Sequence, residues 1–152
     1  MPGIEGRLAA AHLARRQLHP EPGLAQQRLG VGDRVRLLGS VPHADLPRWL
    51  AAADATALAS TSEGLANAWI ESLACGTPVV TTPNAGAADV LADGRYGSIV
   101  DDGRFGHEIV AVLRDPEQRA AMAEQGRKRA ACYDERAIAD QNIRVYRQAV
   151  QQ

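Results

Sequence analysis

Aromatic side chains are scarce in this chain: Phe, Trp and Tyr together make up 4% of it. Base-stacking platforms need several such rings on one surface, so that mode of nucleic-acid binding is excluded. Lysine is nearly missing, Lys128 being the sole example, and the formal net charge is −1. No global positive field therefore draws nucleic acid or an anionic membrane. The two cysteines, Cys75 and Cys132, form no Cys-x-x-Cys pair, and none of His12, His19, His43 or His107 stands at a zinc-ligand spacing from them. Reduced thiols and a cytoplasmic setting are the simplest expectation. No apolar run approaches the roughly 18 residues of a membrane helix. Met1-Pro2-Gly3 leads straight into charged residues, which argues against a signal peptide. Asp-x-Asp is missing too, and no metal or other cofactor is expected. The four histidines have no partner pattern and read as solvated or packed.

What the chain does have is an alternation of short apolar runs with helical periodicity. Its 152 residues suffice for one domain with a real core. Ile4 to Leu18 reads as a helix broken by His19-Pro20-Glu21-Pro22-Gly23, and Leu24 to Leu29 as a second one ended by Gly30. Four strands are expected, at about 34–38, 55–59, 78–82 and 97–100. Between the first two, Asp45 is placed to cap a helix from Leu46 to Ala53, with Trp49, Leu50 and Ala53 facing inward and Pro47 tolerated in its first turn. Asp101-Asp102-Gly103 closes the last strand; His107 to Arg114 is helical. Asp115-Pro116 caps a helix reaching about Ala131, and Glu135 to Ala149 forms the final one. Strands alternating with helices predict a Rossmann-like parallel sheet flanked by helices.

The most informative stretch runs from Ser62 to Val80. Ser60 to Ala66 is small and polar, Asn67 is a candidate N-cap, and Trp69, Ile70, Leu73 and Ala74 recur at helical spacing. Gly76 suits the residue past a helix end, and Thr77-Pro78 turns the chain into the strand Val79-Val80-Thr81-Thr82. In an open parallel sheet ligands sit beyond the carboxyl ends of strands, against helix N-termini. The helix starting near Asn67 aims free N–H groups there, a ready anion site. Gly64 is free to take unusual backbone angles, and Gly64 and Ala66 leave room for phosphate. Glu63 and Glu71, with seven residues between them, bracket the turn. Carboxylates beside an anion site suit hydroxyl groups, which they accept as charge-assisted hydrogen bonds. A diphosphate flanked by two polyols, a nucleotide-sugar, fits this pattern.

The run Glu63-Gly64-Leu65-Ala66-Asn67-Ala68-Trp69-Ile70-Glu71, continued by Ala74-Cys75-Gly76-Thr77-Pro78-Val79-Val80, resembles the donor-site motif of the family-four retaining glycosyltransferases of GT-B fold. Asp33 to Val41 and the later Ala51-Ala52-Ala53-Asp54 are similar to that family as well. The resemblance implies that Glu71 holds the ribose hydroxyls of the donor and that Glu63 contacts the transferred sugar, a hexose-type unit. It implies that the backbone of Gly64, Leu65, Ala66 and Asn67 meets the diphosphate, and that the loop Ser40-Val41-Pro42, with Val41, lies near the base. Asp89 stands where the family usually opens a short helix with Glu, a mild departure.

A complete GT-B C-terminal domain should open with further strand-helix units carrying an Arg and a Lys for the leaving diphosphate. Arg7 is in the wrong place for that role. The chain therefore reads as a partial C-terminal donor-binding domain, 1–152, with its core at about 31–115 and C-terminal helices at about 116–150. The expected partners are the nucleotide-sugar donor and an N-terminal acceptor-binding domain, with peripheral membrane contact open to the whole enzyme. Glycosyl transfer, as in polysaccharide biosynthesis, is the leading reading. A non-catalytic nucleotide-sugar-binding module or remnant is the alternative, and a sugar-nucleotide epimerase of the same architecture fits less well.

Overall fold

A computed structural model describes residues 26–60 and 64–150. The helix expected from Ile4 to Leu18 lies outside them. Of the next one, residues 26–28 are helical, and Gly30 follows with φ +63°. A 3-10 turn at His43–Asp45 leads into α1 (Leu46–Ala51), followed by β1 (Thr56–Leu58), α2 (Asn67–Cys75) and β2 (Val79–Thr81). Then come α3 (Ala85–Leu91), β3 (Ser98–Ile99), α4 (Asp102–Arg114) and α5 (Pro116–Ala130). A second 3-10 turn at Ala131–Tyr133 precedes α6 (Glu135–Val150).

The sheet is parallel, in the order β1-β2-β3. Thr56 stands opposite Val79 and Leu58 opposite Thr81; Val80 stands opposite Ser98. Parallel neighbours need a crossover, and α2 and α3 supply the two crossovers here. Val79, Val80 and Thr81 are all buried, as a central parallel strand with helices on both faces should be. Because side chains alternate along a strand, Val79 joins Trp69, Leu73, Ala87, Val90 and Leu91 in one cluster. Val80 joins Ala55 and Val112 in another, with Phe105, Ile109 and Met122 packed against it. Gly126 lets α5 approach α2: a Cβ there would lie 2.9 Å from a methyl of Leu73.

Among the described residues three strands form, not four. The Arg34–Leu38 segment is not a strand: the Arg34 N–H bonds the Val31 carbonyl at 3.0 Å, and Val35 and Leu37 are 43% and 49% exposed. Alternating Arg, Val, Arg and Leu makes a segment competent for a strand, but a ladder also needs a neighbour. In the common doubly wound order 3-2-1-4-5-6, the run β1-β2-β3 fits the half 4-5-6. A strand directly before it in sequence then belongs at the far edge, three positions from β1 with two strands between. Among the described residues no strand fills those positions.

Other boundaries move for identifiable reasons. The first helix stops at Ala51 rather than Ala53; Leu50 is buried while Trp49 stays 39% exposed. Asp102 opens α4 instead of closing β3, with Asp101 as its extended N-cap. On α2 the inward positions are Trp69, Ser72 and Leu73, and Ala74 is exposed. Ser72 is tolerated inside because its hydroxyl donates to Ala68 O at 2.6 Å and contacts Thr56 Oγ1 at 3.0 Å.

Candidate functional site

All three strands end on the same side of the molecule, where a cleft of about 250 Å³ is lined by Ser60, Thr82, Pro83, Asp101 and Asp102. Each of these residues lies within three positions of a strand's carboxyl end. Asn84 braces that rim. Its Oδ1 accepts from Ala87 N at 2.9 Å, capping α3, while its Nδ2 donates to Ser60 O at 3.3 Å and Thr82 O at 3.2 Å. Thr82 Oγ1 also donates to Ser60 O, at 2.7 Å. The loops after β1 and β2 are thus held at fixed separation, and α2 starts beside them.

The start of α2 differs from expectation. Asn67 is its first residue rather than its cap; the N-cap is Ala66, extended at φ −85°, ψ 112°, with no side-chain cap and no acidic residue in the first turn. Trp69 N–H bonds back to Ala66 O at 3.0 Å. The backbone donors ahead of Trp69, at Asn67 and Ala68, have no side-chain acceptor among the described residues. Gly64 and Leu65 are exposed, and a Cβ built on Gly64 meets nothing within 4 Å. Gly64 does not have a positive φ, so its backbone freedom is not what the site uses; the open space is. Glu63 lies outside the described residues.

Glu71 sits one turn into α2 with its side chain 29% exposed. Its Oε1 lies 3.2 Å from His43 Nε2, in the 3-10 turn after Val41 and Pro42. Two further contacts join the same pair of segments. Cys75 Sγ donates to Pro47 O at 3.8 Å and Thr77 Oγ1 to Leu50 O at 2.6 Å. The partners advance together, 43 with 71, 47 with 75 and 50 with 77, so α1 runs alongside α2 in the same direction. That register carries the loop of Val41 to the N-terminal half of α2. Burial first, and then the Glu71 carboxylate, push the Cys75 thiol above its ordinary pKa, which keeps it protonated at neutral pH.

The structure therefore places Gly64, Leu65 and Ala66 directly ahead of α2, Asn67 at its first position, and the 3-10 turn that follows Val41 and Pro42 beside Glu71. Asp89 does not open a helix: it is the fifth residue of α3, and its carbonyl accepts from Arg129 at 2.7 Å. The sequence reading missed His43, Asp101 and Asp102. The last two could have been found from the rule that ligands sit beyond strand ends, since they directly follow the last strand. His43 carries no motif and emerges only from the α1–α2 register. Among the described residues no three His, Cys, Asp or Glu side chains group as metal ligands, and no helix is long and apolar enough to cross a membrane.

Against known proteins, the family described as glycosyl transferases group 1 matches residues 23–129. The chain is 37% identical over 137 residues to a D-inositol 3-phosphate glycosyltransferase of Segniliparus rotundus, covering 88% of this chain and 30% of that protein. It is 34% identical over 128 residues to D-inositol 3-phosphate glycosyltransferase 2 of Catenulispora acidiphila, covering 82% and 30%. The chain thus spans about a third of the length of the curated relatives it matches. Sucrose-phosphate synthase from Thermosynechococcus elongatus superposes with a TM-score of 0.77 at 29% identity, over 86% of this chain and 34% of that one. Anabaena HepE, solved in complex with UDP, superposes with a TM-score of 0.72 at 27% identity, over 83% and 35%.

Proposed function

This chain belongs to the glycosyl transferases of group 1 and has the α/β architecture of GT-B enzymes, and from that premise we propose that it is the donor-binding part of a retaining sugar transferase. The observation that carries the reading is the start of α2: an N-terminus without a side-chain cap, with a part-exposed Glu71 one turn further on. The bare N–H groups and the helix dipole favour the diphosphate of a nucleoside-diphosphate sugar. Glu71 accepts hydrogen bonds from the ribose hydroxyls, and the Val41 loop flanks the base. Glu63 orients the transferred hexose. As the glycosidic bond to the leaving diphosphate breaks, negative charge grows on phosphate oxygens, and the fixed donors at Gly64 to Asn67 stabilise it without reorganising. The remaining transfer machinery, including the acceptor site, lies in a second domain.

Titration calorimetry of the chain with UDP, ADP and GDP tests this. At least one is expected to bind, and Glu71→Ala to weaken it by about 1.5–3 kcal/mol for each charge-assisted hydrogen bond lost. Equal binding by parent and Glu71→Ala would remove the ribose-clamp role. A binding module without transfer remains a second reading for these 152 residues by themselves, because they match only 30% of each curated relative. Turnover of labelled donor with added acceptors separates the two.

A further inference from the structure

The contact between His43 and Glu71 has a use beyond holding α1 to α2. We infer that His43 is a positioning residue for donor binding: it fixes the Glu71 carboxylate so that its remaining acceptor positions face the ribose diol. The inference rests on the donor-site reading above. A glutamate side chain has three rotatable bonds, and one on a helix surface samples several rotamers. Binding a diol with both carboxylate oxygens requires one of them, and ordering a free side chain weakens binding by its lost entropy. Here one oxygen, Oε1, is already held at 3.2 Å by His43 Nε2. An ionised carboxylate offers about four acceptor positions, so a single donor leaves the others open to hydroxyls.

The two residues are exposed to very different degrees, 85% for the His43 side chain and 29% for that of Glu71. The imidazole therefore approaches from the solvent side and does not bury the carboxylate. The backbone that carries it is set: Asp45 N–H bonds Pro42 O at 3.0 Å, closing the turn on which His43 sits. The Pro47–Cys75 and Leu50–Thr77 contacts set the register of that turn against α2. Stability does not need the contact, since exposed pairs of this kind contribute little. A base-side loop that carries a donor to the ribose-side carboxylate links recognition of the two halves of a nucleoside. The contacting atom is Nε2, so glutamine, whose amide nitrogen reaches equally far, should replace histidine, and asparagine should not.

The test is calorimetric binding of UDP, ADP and GDP, and of the 2′,3′-dideoxy form of whichever binds tightest, to the full chain and its variants. His43→Ala should weaken the ribonucleotide by about two- to tenfold, the span of one net hydrogen bond. It should leave the dideoxynucleotide and the melting temperature unchanged. His43→Gln should restore parental affinity, His43→Asn should not, and His43→Ala should add nothing in a Glu71→Ala background. Parental affinity in His43→Ala, with Glu71→Ala still weakened, overturns the positioning role and leaves the donor-site reading standing. If Glu71→Ala binds like the parent, or no nucleotide of the panel binds, the donor-site reading falls and the positioning role with it.

Discussion

The two ends of α2 are finished in opposite ways. At its carboxyl end Gly76 adopts φ +75°, its N–H bonds Leu73 O at 3.0 Å, and Thr77 N–H bonds Ser72 O at 2.9 Å. Carbonyls that would be left without partners are satisfied in the manner of a Schellman turn. At the amino end Ala66 provides no side-chain acceptor and the first turn holds no acidic residue. The start of α5 sharpens the contrast: Asp115 Oδ1 accepts from Gln118 N at 2.8 Å, Pro116 occupies the first position, and Glu117 faces the positive end of the dipole. α5 packs against α2 and has every device that α2 omits at its start. The amino end of α5 is closed by its own residues, and that of α2 has no such closure.

If that contrast is functional, changes at the bare end should alter ligand binding without altering stability, and changes at the finished ends should do the reverse. The largest effect is expected from Gly64→Asp. A side chain there has open space, so the melting temperature should hold, within about 0.5 kcal/mol, as for other exposed substitutions. A like charge set against the diphosphate costs several kcal/mol, enough to abolish measurable binding. Gly64→Asp that still binds a nucleoside diphosphate like the parent would put the phosphate elsewhere.

Gly76→Ala comes next and should act on stability. The added methyl would sit 1.5 Å from Nη1 of Arg127 and hold a residue other than glycine at positive φ. Arg127 is a flexible surface side chain on α5 and can swing aside, which leaves the backbone strain, of order 1–3 kcal/mol. Urea unfolding should report that loss, with nucleotide affinity unchanged for the protein that remains folded. Asp115→Ala should be smaller, about 1 kcal/mol for a lost N-cap, again with affinity untouched. A fall in affinity with either variant would mean that the two ends of these helices are energetically coupled, and the contrast would lose its meaning.

These same elements show what the sequence could disclose. The span of α2, its glycine stop and the Asp115-Pro116 start were legible because each depends on residues adjacent in the chain. Propensity and capping are local. The Arg34–Leu38 strand was misread because a ladder depends on a neighbour that local pattern does not reveal. Asn67 was misplaced as a cap by one residue, since Ala66 has the extended backbone of a cap but none of its chemistry. Ser72 and Ala74 exchanged places because a hydroxyl satisfied by Thr56 and Ala68 is as much at home inside as a methyl. His43 was invisible for the plainest reason, that its partner is 28 residues away.

The smallest expected effect is also the most direct trial of the comparison, because it should raise stability and lower affinity in one protein. Ala66→Ser gives α2 the cap it lacks. The backbone at Ala66 is already in the extended region that capping residues use, and serine differs from alanine by one oxygen, so its packing against the core cluster should persist. The serine oxygen should accept an N–H from the first turn of α2 and stabilise the fold by about 0.5–1 kcal/mol, the lower part of the range for an N-cap. That N–H is then engaged before any phosphate arrives, and its helix end is partly neutralised. Nucleoside diphosphate affinity should drop by a few-fold, as expected for weakening one net hydrogen bond, while a nucleoside lacking phosphate binds as before. Thermal unfolding and calorimetry on the same preparation decide it. A more stable Ala66→Ser with unchanged diphosphate affinity would show that the bare end of α2 is an omission rather than a site.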